Sequence, residues 1–114
     1  AQMRIAELYR DQLGDPAAAR REFRRVHERH GESTIADDAL WQEALLAHRT
    51  GAAEDTCDVA KLLGDSYPAS RYVRCLSQLC PEVASDPPQS QCPPYLQRMV
   101  REAMDPAGAG QPEQ

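Results

Sequence analysis

Apolar residues recur three, four and seven positions apart through most of this chain, the period of helices with one inward face. Ile5, Leu8 and Tyr9, with Ala6 beside them, predict a first helix over 3–13 that Gly14 ends. Asp15 and Pro16 open the second: Asp accepts from the free N–H groups of the first turn, and Pro at the first helical position forfeits no hydrogen bond. Its buried stripe is Ala19, Phe23 and Val26, and His30-Gly31 stops it. Ser33 or Thr34 is expected to cap a third helix, with Asp37 and Asp38 in its first turn, where the helix dipole favours acids. Leu40, Ala44 and Ala47 form its apolar face, flanked by Trp41 and Leu45, and Gly51 breaks it. A fourth helix is expected from Ala53 to Tyr67 through Cys57, Ala60 and Leu63, and Pro68 forbids its continuation. Ser70 is expected to cap a fifth, carrying Tyr72, Val73, Leu76 and Leu79.

The pattern changes after Pro81. Pro, Ser, Gln and Asp dominate 81–94, the composition of an irregular loop. Pro93-Pro94 then opens a short capping helix over 95–104 through Tyr95, Leu96, Met99 and Val100. Residues 105–114 have the composition of a flexible tail. The chain opens at Ala1 and reads as helix from Met3, as a mature product or an excised fragment does.

The elements also repeat. A shift of 37 residues carries Gly14 onto Gly51, Phe23 onto Ala60, Val26 onto Leu63, Gly31 onto Pro68 and Ser33 onto Ser70. One helix pair cannot bury its own apolar stripe, so such units stack. Gly14 and Gly51, the small Ala19, the aromatic Phe23 and the terminal Pro68 resemble the tetratricopeptide repeat family over about residues 1–80. The phrases LGDPAAARREF and YPAS are similar to repeats of bacterial envelope proteins, such as outer-membrane assembly lipoproteins and the Tol-associated periplasmic factor. The implied fold is all-α: a right-handed α-solenoid of antiparallel helix pairs, roughly two and a half repeats plus a short C-terminal helix. The resemblance also implies a concave docking face made by the first helix of each pair. Carried onto this chain, that face holds Asp38, Trp41, Leu45 and His48 on the third helix, Gln78 on the fifth, and Arg4 with Leu8 on the first. Trp41 serves equally as an anchor for a partner or as a plug closing the core between pairs.

Composition narrows the function classes. The net charge over 114 residues is −5, which argues against nucleic acid as the main partner. The basic run of Arg20, Arg21, Arg24, Arg25 and Arg29 is diluted by Glu22 and Glu28 and reads as a solvated helix face. No apolar stretch is long enough to span a bilayer.

Cys57, Cys75, Cys80 and Cys92 lack the spacing of a zinc or redox motif, so disulfides and an oxidising compartment, periplasmic or secreted, are expected. Cys75 and Cys80 stand five apart on one helix, turned by about 140°, and cannot bond each other. Cys57 and Cys80 are equidistant from the Pro68-Ala69 turn, which favours Cys57–Cys80 with Cys75–Cys92 over Cys57–Cys75 with Cys80–Cys92.

Chemistry is otherwise sparse. His27 and His30 share a helix face without a third metal ligand, and no phosphate loop, nucleophile elbow or Ser/His/Asp spacing occurs. The expectation is therefore a scaffold rather than an enzyme, without cofactor or metal, that binds a protein or peptide on the concave face. The alternative is a structural segment of a longer array or of a membrane-anchored protein's periplasmic domain, able to self-associate through its open ends.

Overall fold

A computed structural model describes residues 2–83 and 92–103. Six helices form among these residues: α1 (Gln2–Asp11), α2 (Pro16–Arg29), α3 (Ala36–Arg49), α4 (Ala53–Ser66), α5 (Leu76–Leu79) and α6 (Pro94–Ala103). A 3-10 turn, Arg71–Cys75, leads into α5. The expected tail and the middle of the Pro-rich loop lie outside the described residues, as does Met104 at the end of the expected capping helix.

The 37-residue shift is visible in the backbone. α2 and α4 are both 14 residues long, starting at Pro16 and Ala53 and ending at Arg29 and Ser66. Each is preceded by a glycine at positive φ, +59° at Gly14 and +79° at Gly51, and a Cβ at either would meet nothing within 4 Å. Glycine is required there by backbone conformation rather than by crowding, because an L side chain strains at such angles. The residues that end the two helices match too: His30 has φ −135° and Tyr67 φ −133°.

The capping chemistry is duplicated in a way the pattern did not specify. Asp15 caps α2 as expected, its Oδ1 accepting from Ala18 N at 3.1 Å. Ser33, however, does not cap α3. Its hydroxyl accepts from Ile35 N at 3.2 Å, and the helix begins one residue later behind an Ile35 cap with no side-chain bond. Ser70 Oγ accepts from Tyr72 N, also at 3.2 Å. Ser33 therefore closes a tight turn ahead of α3, whereas Ser70 caps the element that follows it directly, a 3-10 turn in place of the expected helix.

The third unit departs from the first two. The single fifth helix expected after Ser70 is a 3-10 turn followed by one turn of α-helix. In a 3-10 segment residues three apart share one side, which puts Tyr72 and Cys75 together in the core. α5 then stops at Leu79, because Cys80 precedes Pro81 and is driven to extended backbone, φ −137° and ψ 102°.

Packing is organised around α3. Nine of its 14 residues are buried, which is why its apolar residues do not confine themselves to one stripe. Ala39 and Leu46 join Ala6, Ala19, Phe23 and Val26 in a cluster against α1 and α2. Leu40, Trp41, Ala44 and Leu45 join Val59, Leu63, Tyr72 and Leu76 in a second cluster with α4, the 3-10 turn and α5. α6 packs on α3 and on the 3-10 turn, adding Leu96 and Val100 to that cluster.

Two disulfides hold the C-terminal half. Cys57 bonds Cys80 and Cys75 bonds Cys92, with Cα atoms 5.0 and 5.1 Å apart. The equal distance of Cys57 and Cys80 from the Pro68 turn survives the broken helix, because the turn itself brings the two segments side by side. Cys75–Cys92 ties the residue just ahead of α6 to the 3-10 turn.

Candidate functional site

The expected docking face is a real stripe of α3. Asp38, Trp41, Leu45 and His48 are spaced by three, four and three residues and so share one side of the helix. What covers that side was not legible in the spacing. Trp41 is 0% exposed and stacks on Tyr72, with ring centroids 4.8 Å apart at 14°. Leu45 is buried as well. The placement of Trp41 and Leu45 on an accessible concave face is therefore corrected: both are core residues, enclosed where the 3-10 turn, α5 and α6 close over α3.

Asp38 is half-buried, and its carboxylate is engaged within the chain. Its Oδ1 accepts from the Tyr72 hydroxyl and, at 3.1 Å, from Arg71 Nη2. Asp37 Oδ2 accepts from Ser70 Oγ at 2.7 Å. The two acids that begin α3 thus dock the third unit onto the second, beyond favouring the helix dipole. Burial and the acceptor Asp38 push the Tyr72 phenol up to about 12. The Arg71 guanidinium, lying 4.9 Å over the Tyr72 ring, is held still more firmly protonated by its hydrogen bond to that hydroxyl.

The remaining predicted site residues are dispersed. His48 is half-buried on the Trp41 side of α3, and burial lowers its pKa below the ordinary 6.5. Gln78 is half-buried on α5. Arg4 is exposed on α1. Arg4 and Leu8, both on α1, are thus the members of the expected face that are exposed to solvent.

The basic run of α2 proves more committed than a solvated face. Arg24 forms a two-pronged pair with buried Glu43, at 2.7 and 2.9 Å. Arg20 reaches Asp55 on α4 at 3.0 Å, and Arg25 reaches Glu22 at 3.1 Å. Arg20, Arg21, Arg24 and Arg25 line an open groove of about 520 Å³ with Glu28 and Glu43, but three of the four guanidinium groups already hold a carboxylate. Burial raises the Glu43 pKa above the ordinary 4.5 even though the Arg24 hydrogen bonds pull it down.

His27 is already engaged and not free for the metal role weighed above. Tyr67 donates to Gly31 O at 2.9 Å, so its hydroxyl, 2.7 Å from His27 Nδ1, accepts there. Nδ1 of His27 therefore carries a proton. This bridge joins the residue that ends α4 to α2 and the turn after it, and the tyrosine that makes it went unremarked in the sequence except as an apolar position. The Cys57 and Cys80 sulfurs and a Glu82 oxygen lie within 4.8 Å of one another, but the two sulfurs share a bond and offer no thiolate to a metal.

α1 carries a wider apolar surface than Leu8, the one apolar position the expected face placed there. Ile5 is 42% exposed and Leu8 37%, and Leu13 just beyond the helix is 66% exposed. Leu8 stands two residues from fully buried Ala6, about 200° round the helix. α1 is therefore apolar on two opposite sides, and only one of them is covered.

Scans against protein-family models, curated proteins and solved structures match nothing to this chain.

Proposed function

We propose that this chain is a protein-interaction module: tandem tetratricopeptide-like helix pairs in a right-handed solenoid, closed at the C-terminal end and open at α1. Its partner is a protein or peptide, and its setting is the bacterial cell envelope or the secreted space. The observation that carries this reading is the outward face of α1, where Ile5 and Leu8 meet solvent with Arg4 beside them. A stack of helix pairs presents such a face wherever the stacking stops. Large apolar side chains rimmed by charge are what a docking surface offers. The rest of the molecule supports the same reading, because the Trp41 side is closed over and Glu43 is spent on Arg24. The groove along Arg20, Arg21, Arg24 and Arg25 is open and lined largely by paired charges, a poor setting for an enzyme's reaction centre. Two disulfides suit an oxidising compartment, and no described helix is long and apolar enough to cross a membrane.

A neighbouring helix pair of a longer array would use the same α1 face, so the alternative of an array segment differs only in what sits there. Sedimentation velocity with Ile5→Glu/Leu8→Glu tests both. Self-association that rises with concentration in the parent chain and vanishes in the variant identifies α1 as the open end of an array. A monomeric parent that captures an envelope protein through α1, with capture lost in the variant at unchanged helicity, identifies a separate partner. A partner retained in full by the variant would sink the assignment.

A further inference from the structure

The two disulfides differ in access. Cys75, Cys80 and Cys92 are buried, and of the four cysteines Cys57 is the one that is not. Cys57 lines an open groove of about 340 Å³ on α4, together with Ala53, Glu54, Asp58, Lys61 and Glu82. Thiol–disulfide exchange needs a path to a sulfur, so Cys57–Cys80 is open to attack while Cys75–Cys92 is shielded.

The same groove suits a cation. Its charged lining is three carboxylates, Glu54, Asp58 and Glu82, against one ammonium, Lys61. Lys61 Nζ stands 3.6 Å from Glu82, a long pair between exposed side chains. Pro81 sits at the second position of a turn that Val83 N closes by donating to Cys80 O at 3.0 Å, a position proline favours. That turn returns Glu82 to the disulfide: the Cys57 and Cys80 sulfurs and a Glu82 oxygen all lie within 4.8 Å of one another.

We propose that Cys57, Cys80 and Glu82 form a redox-gated site for a borderline-soft divalent cation, Zn²⁺ by ligand type, closed in the oxidised chain and available once Cys57–Cys80 is reduced. Two thiolates and a carboxylate are zinc ligands, a water completes the tetrahedron, and hard Mg²⁺ or Ca²⁺ has little affinity for the sulfurs. The reductant is a dithiol. Its thiolate attacks Cys57 Sγ, the S–S bond breaks, and the bonding pair leaves on Cys80 Sγ. Its second thiol attacks the mixed disulfide and releases Cys57, and the reductant departs as a cyclic disulfide. Two electrons and two protons thereby pass to the cysteines, and the metal displaces the protons as it binds. The cation then takes over the crosslink between α4 and the end of α5, while Cys75–Cys92 holds the start of α6 throughout. This site shares no residue with the α1 face, and either can fail without the other.

The test uses the full chain. Limiting dithiothreitol, removed afterwards by anaerobic gel filtration, opens Cys57–Cys80 and leaves Cys75–Cys92 intact, as read by alkylation and peptide mapping. Loss of both bonds together, or of Cys75–Cys92 first, overturns the proposal. Co²⁺, a spectroscopic substitute for Zn²⁺, then gives a sulfur-to-cobalt charge-transfer band that saturates, that Zn²⁺ abolishes, and that the oxidised chain lacks. Binding without this band is adventitious binding to the groove's carboxylates and overturns the proposal. A reduced chain that loses its helicity and does not regain it with Zn²⁺ does the same. Glu82 is 75% exposed, so Glu82→Gln leaves the fold alone and weakens Zn²⁺ binding by about tenfold or more. Unchanged affinity in that variant overturns the three-ligand site.

Discussion

At the scale of single residues, the buried charges decide more than the exposed ones. Glu43 lies in the interior with Arg24 as its partner, and its pKa stands above 4.5 because burial outweighs that partner. Between 4.5 and its raised value, the folded chain therefore holds more protons than the unfolded chain. Stability contributed at this site falls as pH climbs through that interval. Arg24→Leu removes the opposing hydrogen bonds and pushes the carboxyl further up. The cost is expected to be about 2 kcal/mol at pH 7, below the usual figure for a buried pair because Arg24 is one-third exposed. At pH 4, where Glu43 is already protonated, the cost shrinks. Urea unfolding at the two pH values measures it, and an equal loss at both contradicts the account. The Asp38 and Tyr72 pairing teaches a related lesson: the sequence offered an acid at a helix start, and the phenol that occupies it comes from 34 residues away.

At the scale of elements, the same glycine turn is built twice. An added Cβ would touch nothing at Gly51, so Gly51→Ala costs only the strain of positive φ, about 1–2 kcal/mol, less whatever the turn recovers by relaxing. Gly14→Ala is expected to cost a similar amount, and thermal unfolding of both variants checks the equivalence. The two disulfides differ in what they hold. Their bonded residues stand 23 and 17 positions apart, so chain entropy assigns each about 3 kcal/mol. Replacing Cys75 and Cys92 by serine should unfold α6 and spare α4. Replacing Cys57 and Cys80 should loosen α5 against α4. Hydrogen exchange resolves the two patterns, and identical patterns would contradict the separate roles.

The 37-residue spacing, the glycine turns and the Asp15 cap were all legible, because each is local chemistry that a few neighbouring residues settle. The break in the third unit was only half legible. Pro81 announces the end at Cys80, but the 3-10 geometry answers to Tyr72 stacking on Trp41, a contact between distant segments.

At the scale of the whole molecule, α3 belongs to both buried clusters. Phe23 lies in one cluster and Leu63 in the other, each wholly buried. Phe23→Ala and Leu63→Ala are each expected to cost roughly 3–4 kcal/mol, and both should lower one shared far-UV transition. Two separated transitions in either variant would show that α3 fails to couple the halves.

The helices, their order and the duplicated turns follow from the sequence by itself, since periodicity, caps and glycine conformations act within a few residues. The same information placed Asp38, Trp41, Leu45 and His48 on one side of α3. Only the tertiary structure decided whether that side meets solvent. Burial depends on which distant segment returns to cover a face, and the stripe carries no record of that. Here α6 returns to α3 through Cys75–Cys92, while the outer side of α1 is left open.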